Sequence, residues 1–393
     1  MRIAVIGAGP AGCAAALALR GRLGASADIR VYERDPRDGR RGFGLVFPPG
    51  QLTRLALTGS DWARDIAVAA RDWNRLAVVR EGERTVFDGH PMLSLSRDGL
   101  LRLLRERLDR EGVPIEYAAP VIPVTASPDG AGLTVDLDAD LVVAADGTDS
   151  AFRSVGTVRR DPAVSARFVW FATEVAFPEL TFLFRRTPAG VFTAHAYSYS
   201  DDESAFIVEA GERTWALALG GEPGTVKSGT VKPDTVAAAT AELCTSVFAA
   251  DLGGRALYGG SGAPREFAQI SLSRWSAGRT VLIGDAAHTA HFSIGSGTSL
   301  ALADAAALAD AIAEQPTVEQ ALATYEARRR PVVENLQALS RLSSQWFATA
   351  GERMDDLDLR GFAESLVSRA GLMARVRSEM AATSAAGPRP RQG

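Results

Sequence analysis

Three short runs in this 393-residue chain combine glycines and acids at spacings able to hold a nucleotide. The first is Gly7-Ala8-Gly9-Pro10-Ala11-Gly12, which follows the apolar run 2–6 and opens an alanine-rich segment. A G-x-G-x-x-G turn between a strand and a helix brings backbone N–H groups up to a pyrophosphate, with the positive end of the helix behind them. Gly7 permits the tight turn, Gly9 the close approach, and Gly12 the packing of helix on sheet. Glu33 closes the next apolar run about 20 residues later, with Arg34 beside it. An acid there accepts hydrogen bonds from a ribose diol. It favours a ribose without a 2′-phosphate, hence FAD or NAD.

The second run, Asp140-Leu-Val-Val-Ala-Ala-Asp146-Gly147-Thr148-Asp149-Ser150-Ala-Phe-Arg153, reads as a strand entering an Asp-Gly turn. The third, Arg279-Thr-Val-Leu-Ile-Gly284-Asp285-Ala286-Ala287-His288, is a strand ending in Gly-Asp. It leads to Gly295, Ser296, Gly297, Thr298 and Ser299, where a helix begins. A carboxylate at such a turn can hold sugar-alcohol hydroxyls, and a helix N-terminus can face the pyrimidine end of a flavin and stabilise negative charge there. Each turn alone is only a turn. In this order they select FAD.

No Ser-His-Asp spacing, H-E-x-x-H or cysteine cluster occurs, so neither a hydrolase nor a metal enzyme is expected. A cofactor that carries the hard step suits that absence. Of the four histidines, His195 and His291 rank first for moving a proton, ahead of His288 and His90. A structural hydrogen bond is the competing role for each. Phe47, Phe182, Phe184, Tyr197 and Phe292 are candidates to line an aromatic pocket, although alternation along a strand turns half of such a set into core. Arg185 and Arg186 read as a solvated strand end ahead of an acid-binding pair.

These residues need elements to position them. Strands are predicted over 2–6, 29–32, 141–145 and 280–283, and helices over 11–22, 97–111, 234–248, 298–314 and 317–349, with Pro331 kinking the last. From 166 to 219 short strands rich in Phe, Val, Tyr and Thr predict an antiparallel sheet. The fold class is therefore α/β, a Rossmann-like FAD-binding domain with an inserted antiparallel β-sheet substrate domain and C-terminal helices. The FAD domain is discontinuous, from 1–75, 96–160 and 275–350, and the substrate domain takes 76–95 and 161–274. A helical segment over 351–382 and a disordered tail over 383–393 complete the chain.

Composition narrows the setting. With 43 Lys+Arg against 47 Asp+Glu and a net charge of -4, no basic face for nucleic acid or membrane is expected. Two cysteines, Cys13 and Cys244, exclude a disulfide framework and suit a reducing cytoplasm. The apolar start is broken by Gly7, Gly9, Pro10 and Gly12, so no secretory leader is expected, and no apolar run is long enough to span a membrane.

Taken together, the three nucleotide motifs resemble those of the single-component flavoprotein aromatic hydroxylases of the para-hydroxybenzoate hydroxylase fold. Several stretches are similar to the salicylyl-CoA and anthraniloyl-CoA hydroxylase subgroup. They are Gly42-Phe-Gly-Leu-Val-Phe47, Phe168-Val-Trp-Phe-Ala-Thr173, Thr181-Phe-Leu-Phe184, Ala194-His-Ala-Tyr197, Phe206-Ile-Val-Glu209 and, most specific, His288-Thr-Ala-His-Phe-Ser-Ile-Gly-Ser-Gly-Thr298. Tyr325-Glu-Ala-Arg-Arg-Arg-Pro331 resembles the long C-terminal helix of the fold, and the likeness spans about residues 1–350. It implies that Glu33 binds the ribose, Arg97 reaches the FAD linker, Asp285 holds the ribityl and pyrophosphate region, and Gly295 to Ser299 lie beside the flavin ring. Asp146 and Gly147 are implied in handling both FAD and NAD(P)H. Ser299 departs from the Lys usual in the subgroup and the Asn usual in the wider fold. His291-Phe292 stand where that fold has prolines.

The implied activity is hydroxylation of an electron-rich, salicylate- or anthranilate-like ring, free or as a CoA or carrier thioester. The flavin, NAD(P)H and O₂ supply the electrophilic oxygen as a C4a-hydroperoxide. Two other readings stand beside it. One is a reductase or halogenase on the same fold, although neither Trp170 nor Trp275 sits in the Trp-x-Trp-x-Ile-Pro segment of a halogenase. The other is a non-catalytic FAD- or ligand-binding protein. Substrate form, ring position, NADH against NADPH and oligomeric state are not readable from the sequence.

Overall fold

In this computed structural model the described residues are 1–37, 42–57, 60–125, 133–162, 166–221, 233–260 and 262–369. The short apolar runs expected to be strands pair with one another. The strand order is Ser276–Ala277, Thr280–Leu282, Leu141–Ala144, Arg2–Ile6, Asp28–Tyr32 and Ile115–Glu116, with every pairing parallel except the first. Val5, Val142, Val143 and Val281 are fully buried, as strands covered on both faces require. Helix Pro10–Leu23 packs on this sheet and on helix Gly297–Glu314 through Cys13, Ala14, Ala15 and Ala16. Burial pushes the Cys13 thiol up to about 12, so it packs rather than reacts.

A second sheet of eight strands has the order Arg265–Glu266, Arg167–Thr173, Ser204–Ala210, Gly190–Ser198, Leu180–Thr187, Arg71–Arg80, Glu83–Ser96 and Gly44–Phe47. It is antiparallel except where Leu180–Thr187 runs parallel to Arg71–Arg80. The strands within 166–219 pair antiparallel as expected, and the parallel pairing is made with a strand from outside that stretch. No hairpin joins these two strands, so turn geometry does not set their direction. Gly44–Phe47 and Arg71–Arg80 belong to this sheet, so the stretch 1–75 contributes strands to both sheets.

Helix Val318–Ala348 continues through Pro331. Helices Ala350–Asp356 and Leu359–Ser368 follow, and Phe362, Ala363 and Leu366 pack with Phe184, Trp346 and Phe347. Residues 370–393, with most of the expected helical segment's second half and all of the tail, lie outside the described residues. Among the described residues no helix is long and apolar enough to cross a membrane, and no group of His, Cys, Asp and Glu is arranged to hold a metal.

One buried carboxylate ties the cofactor sheet to the long helices. Asp304 accepts from the Gly284 N–H at 3.0 Å and from Nε of Arg329 at 2.7 Å, and Nε2 of His288 lies 2.8 Å away. Burial alone would raise this carboxyl, but His288 and Arg329 outweigh it and hold it below the usual range. Removing the acid leaves Arg329 buried without its counter-charge and His288 without its hydrogen-bond partner. Asp304→Ala should therefore lower the unfolding free energy by roughly 3–5 kcal/mol. Urea denaturation of the FAD-free protein checks this, and a midpoint equal to wild type would contradict it.

Candidate active site

A cavity of about 1140 Å³ is walled by both sheets. On the cofactor side, a Cβ on Gly7 (φ 104°) would come 2.5 Å from the Ala145 carbonyl, and one on Gly12 would come 1.9 Å from the Gly7 carbonyl. These two glycines are required by the fold itself. A Cβ on Gly9 would meet nothing within 4 Å, although Gly9 lines the cavity. Its freedom serves something the cavity takes in. Helix Pro10–Leu23 starts at Gly9 and helix Gly297–Glu314 at Ser296, and neither has a side-chain cap. Two uncapped N-termini at one cavity leave N–H groups and positive dipole ends for a ligand.

The acids stand where they can grip sugar. Glu33 is buried, lines the cavity and accepts from the N–H groups of Ala8 (2.9 Å) and Asp35 (3.0 Å). Asp146 accepts from the Ala151 N–H at 2.9 Å through Oδ2, while its Oδ1 is buried with no protein partner among the described residues. Arg153 clamps the two turns together by donating to the carbonyls of Asp285 (2.7 Å) and Ala286 (3.1 Å). Burial in the wall raises the Asp285 carboxyl. An orphaned carboxylate oxygen, open space beside Gly9 and two bare helix ends fit a dinucleotide such as FAD.

On the other side, strand register sets a row across the second sheet. Trp170 lies opposite Ile207, Ile207 opposite His195, and His195 opposite Phe182. All four line the cavity, with Leu180, Tyr197, Met92, Phe267 and Phe292 around them. The result is an aromatic slot. The His195 ring contacts Phe347, Phe182 and Phe292 at centroid distances of 4.8, 4.9 and 5.4 Å.

Behind this wall sits a polar cluster. Glu209, 2% exposed, is one step along the same face from Ile207, and its Oε1 lies 3.0 Å from Nε2 of His195. Burial alone would raise the Glu209 carboxyl, but His195 and Arg369 hold it below the usual range. An ionised carboxylate can only accept, so His195 Nε2 carries the hydrogen of this pair. His291 is fully buried and lies off the cavity wall. Its Nδ1 accepts from the Ser293 N–H at 3.3 Å, and Nε2 is 3.6 Å from the second Glu209 oxygen. Burial lowers its pKa to about 4, so it stays neutral.

Of the residues expected at the site, Gly7, Gly9, Pro10, Ala11, Glu33, Arg34, Arg97, Asp146, Asp285, Gly295, Ser296, Gly297 and Thr298 line the cavity. Gly12, Gly284 and Ser299 stand just behind it. His195, Phe182, Tyr197 and Phe292 are on the wall and His291 is not. Phe47 and Phe184 are core instead of lining. Phe47 faces the parallel-sheet core, and Phe184, on the same strand face as Phe182, lies past the slot against Trp346 and Phe362. Of the two arginines at the strand end, Arg185 is not solvated but buried against Asp251, whereas Arg186 is exposed and bonds Asp355 at 2.8 Å. Sequence reasoning missed the roles of Glu209, Trp170 and Arg369. An acid inside the apolar strand Ser204–Ala210 was the available signal for the first.

The FAD binding domain family model matches residues 1–340. The chain is 37% identical over 376 residues to the 3-hydroxy-4-methyl-anthranilyl-[aryl-carrier protein] 5-monooxygenase of Streptosporangium sibiricum, covering 94% of this chain and 95% of that one. It is also 37% identical to the salicyloyl-CoA 5-hydroxylase of a Streptomyces species, covering 91% of this chain and 67% of that one. Among solved structures, Klebsiella pneumoniae HpxO complexed with FAD and uric acid has the same fold, with a TM-score of 0.67, 21% identity and 97% of each chain covered.

The two kinds of glycine separate in a simple experiment. Gly9→Val should leave unfolding of the FAD-free protein within about 1 kcal/mol of wild type, yet weaken FAD binding, read by flavin fluorescence, at least tenfold. Gly12→Ala should instead destabilise the fold by about 1–3 kcal/mol or more. Equal effects of the two would contradict the assignment. The buried histidine makes a pH prediction. Above pH 6.5 His291 is neutral whether folded or unfolded. As pH falls toward 4 only the unfolded chain takes the proton, so stability is lost across that window, roughly 3 kcal/mol. Melting temperature should fall over this range in wild type and fall less in His291→Gln, and an unchanged slope would count against the buried neutral ring.

Proposed function

The chain belongs to the FAD binding domain family and is an FAD-dependent aromatic monooxygenase, and on that premise we propose that it hydroxylates a salicylate- or anthranilate-like ring carried as a CoA or carrier-protein thioester. The observation that carries the reading is the single cavity joining a dinucleotide-shaped half to an aromatic slot. The thioester is supported by the two relatives whose names specify a CoA and an aryl-carrier substrate. Bound FAD, reduced by NAD(P)H, supplies the activation of O₂. The residues lining the nucleotide half would hold it there: Gly7, Gly9, Pro10, Ala11, Glu33, Arg34, Arg97, Asp146, Asp285 and Gly295 to Thr298.

The protein's own work is orientation, exclusion of water and control of one proton. Phe182, Phe292, Trp170 and Ile207 hold the ring flat and dry, which fixes the carbon that receives oxygen. His195 is the base. Its Nδ1 takes the proton of the ring's hydroxyl or amino group, and Glu209 fixes the tautomer and stabilises the imidazolium that forms. Ring carbon loses hydrogen and gains hydroxyl, while the second oxygen atom leaves as water at the expense of NAD(P)H. Cys13 and Cys244, both buried and unpaired, support a reducing, cytoplasmic location.

NAD(P)H oxidation by the holoenzyme should rise several-fold with salicyloyl-CoA or anthraniloyl-CoA, with a product one oxygen heavier that takes its label from ¹⁸O₂. His195→Asn should lower that stimulated rate about 10²-fold or more. Oxidation indifferent to every ring, with only peroxide released, would sink the proposal.

A further inference from the structure

The substrate half holds a buried cation that the account above leaves unused. Arg369 follows helix Leu359–Ser368, lines the cavity and is 6% exposed. A guanidinium has five N–H bonds. Three of them donate, from Nε to Ser343 Oγ (2.9 Å), Nη1 to the Leu366 carbonyl (2.7 Å) and Nη2 to the Ser293 carbonyl (3.0 Å). All three acceptors are uncharged, and among the described residues no carboxylate lies within 4.0 Å of it. The acid whose field it feels is Glu209, which His195 already engages. Burial brings the guanidinium down to about 10. A buried charge without a contacting counter-charge is unfavourable unless a ligand supplies one.

Its position shows where that ligand would sit. The Arg369 guanidinium lies 5.1 Å from the centroids of both Phe182 and Phe347. The His195 ring contacts the same two phenylalanines at 4.9 and 4.8 Å. Base and cation therefore share a wall, with His291 and Glu209 the other ionisable groups behind it. Nearby, Trp170 lines the slot, and its indole N–H is buried with no acceptor among the described residues.

We propose that Arg369 is the oxyanion-binding group of the substrate half, taking the negative oxygen borne by the aromatic ring through the two N–H bonds that meet no acceptor among the described residues. The inference rests on the aromatic hydroxylase reading and deepens it. One source of the anion is a phenolate. The ring O–H bond breaks, its electron pair stays on oxygen beside Arg369, and the proton bonds to Nδ1 of His195. The other source, on a ring that arrives as the free acid instead of the thioester, is its carboxylate.

Titration of holoenzyme with 4-nitrophenol, 4-nitrobenzoate and nitrobenzene, followed by flavin difference spectra, tests this. A phenolate site should bind 4-nitrophenol at least about tenfold tighter than nitrobenzene and lower its apparent pKa by about one unit. A carboxylate site should prefer 4-nitrobenzoate by a similar factor. In either case Arg369→Gln should erase the preference while nitrobenzene binding and FAD content hold, and Arg369→Lys should keep part of it. Should Arg369→Gln not fold, the pKa shift of the bound phenol in wild type and Arg369→Lys still decides. Equal affinity for all three probes in wild type, no binding of either anion, or a preference that survives Arg369→Gln overturns the proposal. Failure of the parent reading shows separately, as NAD(P)H oxidation by wild type that no aromatic thioester stimulates.

Discussion

The cofactor half hangs on Asp304. This one carboxylate, with no exposed surface, bonds the backbone of the Gly284 turn, His288 and Arg329 at once. It thereby sets the last parallel strand, the helix that points at the cavity and the long helix behind it in fixed relation. Buried ion pairs rarely add net stability, because desolvation offsets the attraction. What this one adds is position. Asp285 and the bare N-terminus at Gly297 belong to separate segments, and Asp304 joins them. Arg153 extends the frame to the Asp146 turn through carbonyl contacts alone.

A second buried acid organises the ring side by the same logic. Glu209 is fixed by strand register diagonally behind His195, so backbone pairing decides which imidazole nitrogen meets the carboxylate. The sheet is a rigid template here, since sliding one strand by a single residue would turn His195 and Glu209 to opposite faces. Each half of the cavity thus has one carboxylate out of reach of water that orients the groups facing the ligand.

The cofactor half was legible in the sequence because its requirements are local. Gly7, Gly9, Gly12 and Glu33 lie within one strand–helix–strand unit, and their spacing states their purpose. The aromatic slot was legible only in part. Phe182 and Phe184 have the same parity on one strand, and only the distant packing of Trp346 and Phe362 decides that one lines the slot and the other fills core. His195 and His291 looked equivalent, yet one lies on an open strand face and the other in a turn covered on all sides. The parallel pairing of Leu180–Thr187 with Arg71–Arg80 left no local mark, because no turn connects them. Arg369 gave no signal at all, since its place depends on two terminal helices folding back over the second sheet.

That last arrangement gives the molecule an order in time. Chains emerge from the ribosome N-terminus first, and contacts between distant segments form late. The turn at Gly7 is made early, whereas the far end of the slot closes only when Leu359–Ser368 docks and brings Arg369 to Ser293 and Ser343. A chain clipped by a protease before Leu359 would lack the Arg369 contacts to Ser293 and Ser343 and leave that side of the slot open to water. Helix Leu359–Ser368 is in that sense the lock of the chamber, fitted after the strands it covers.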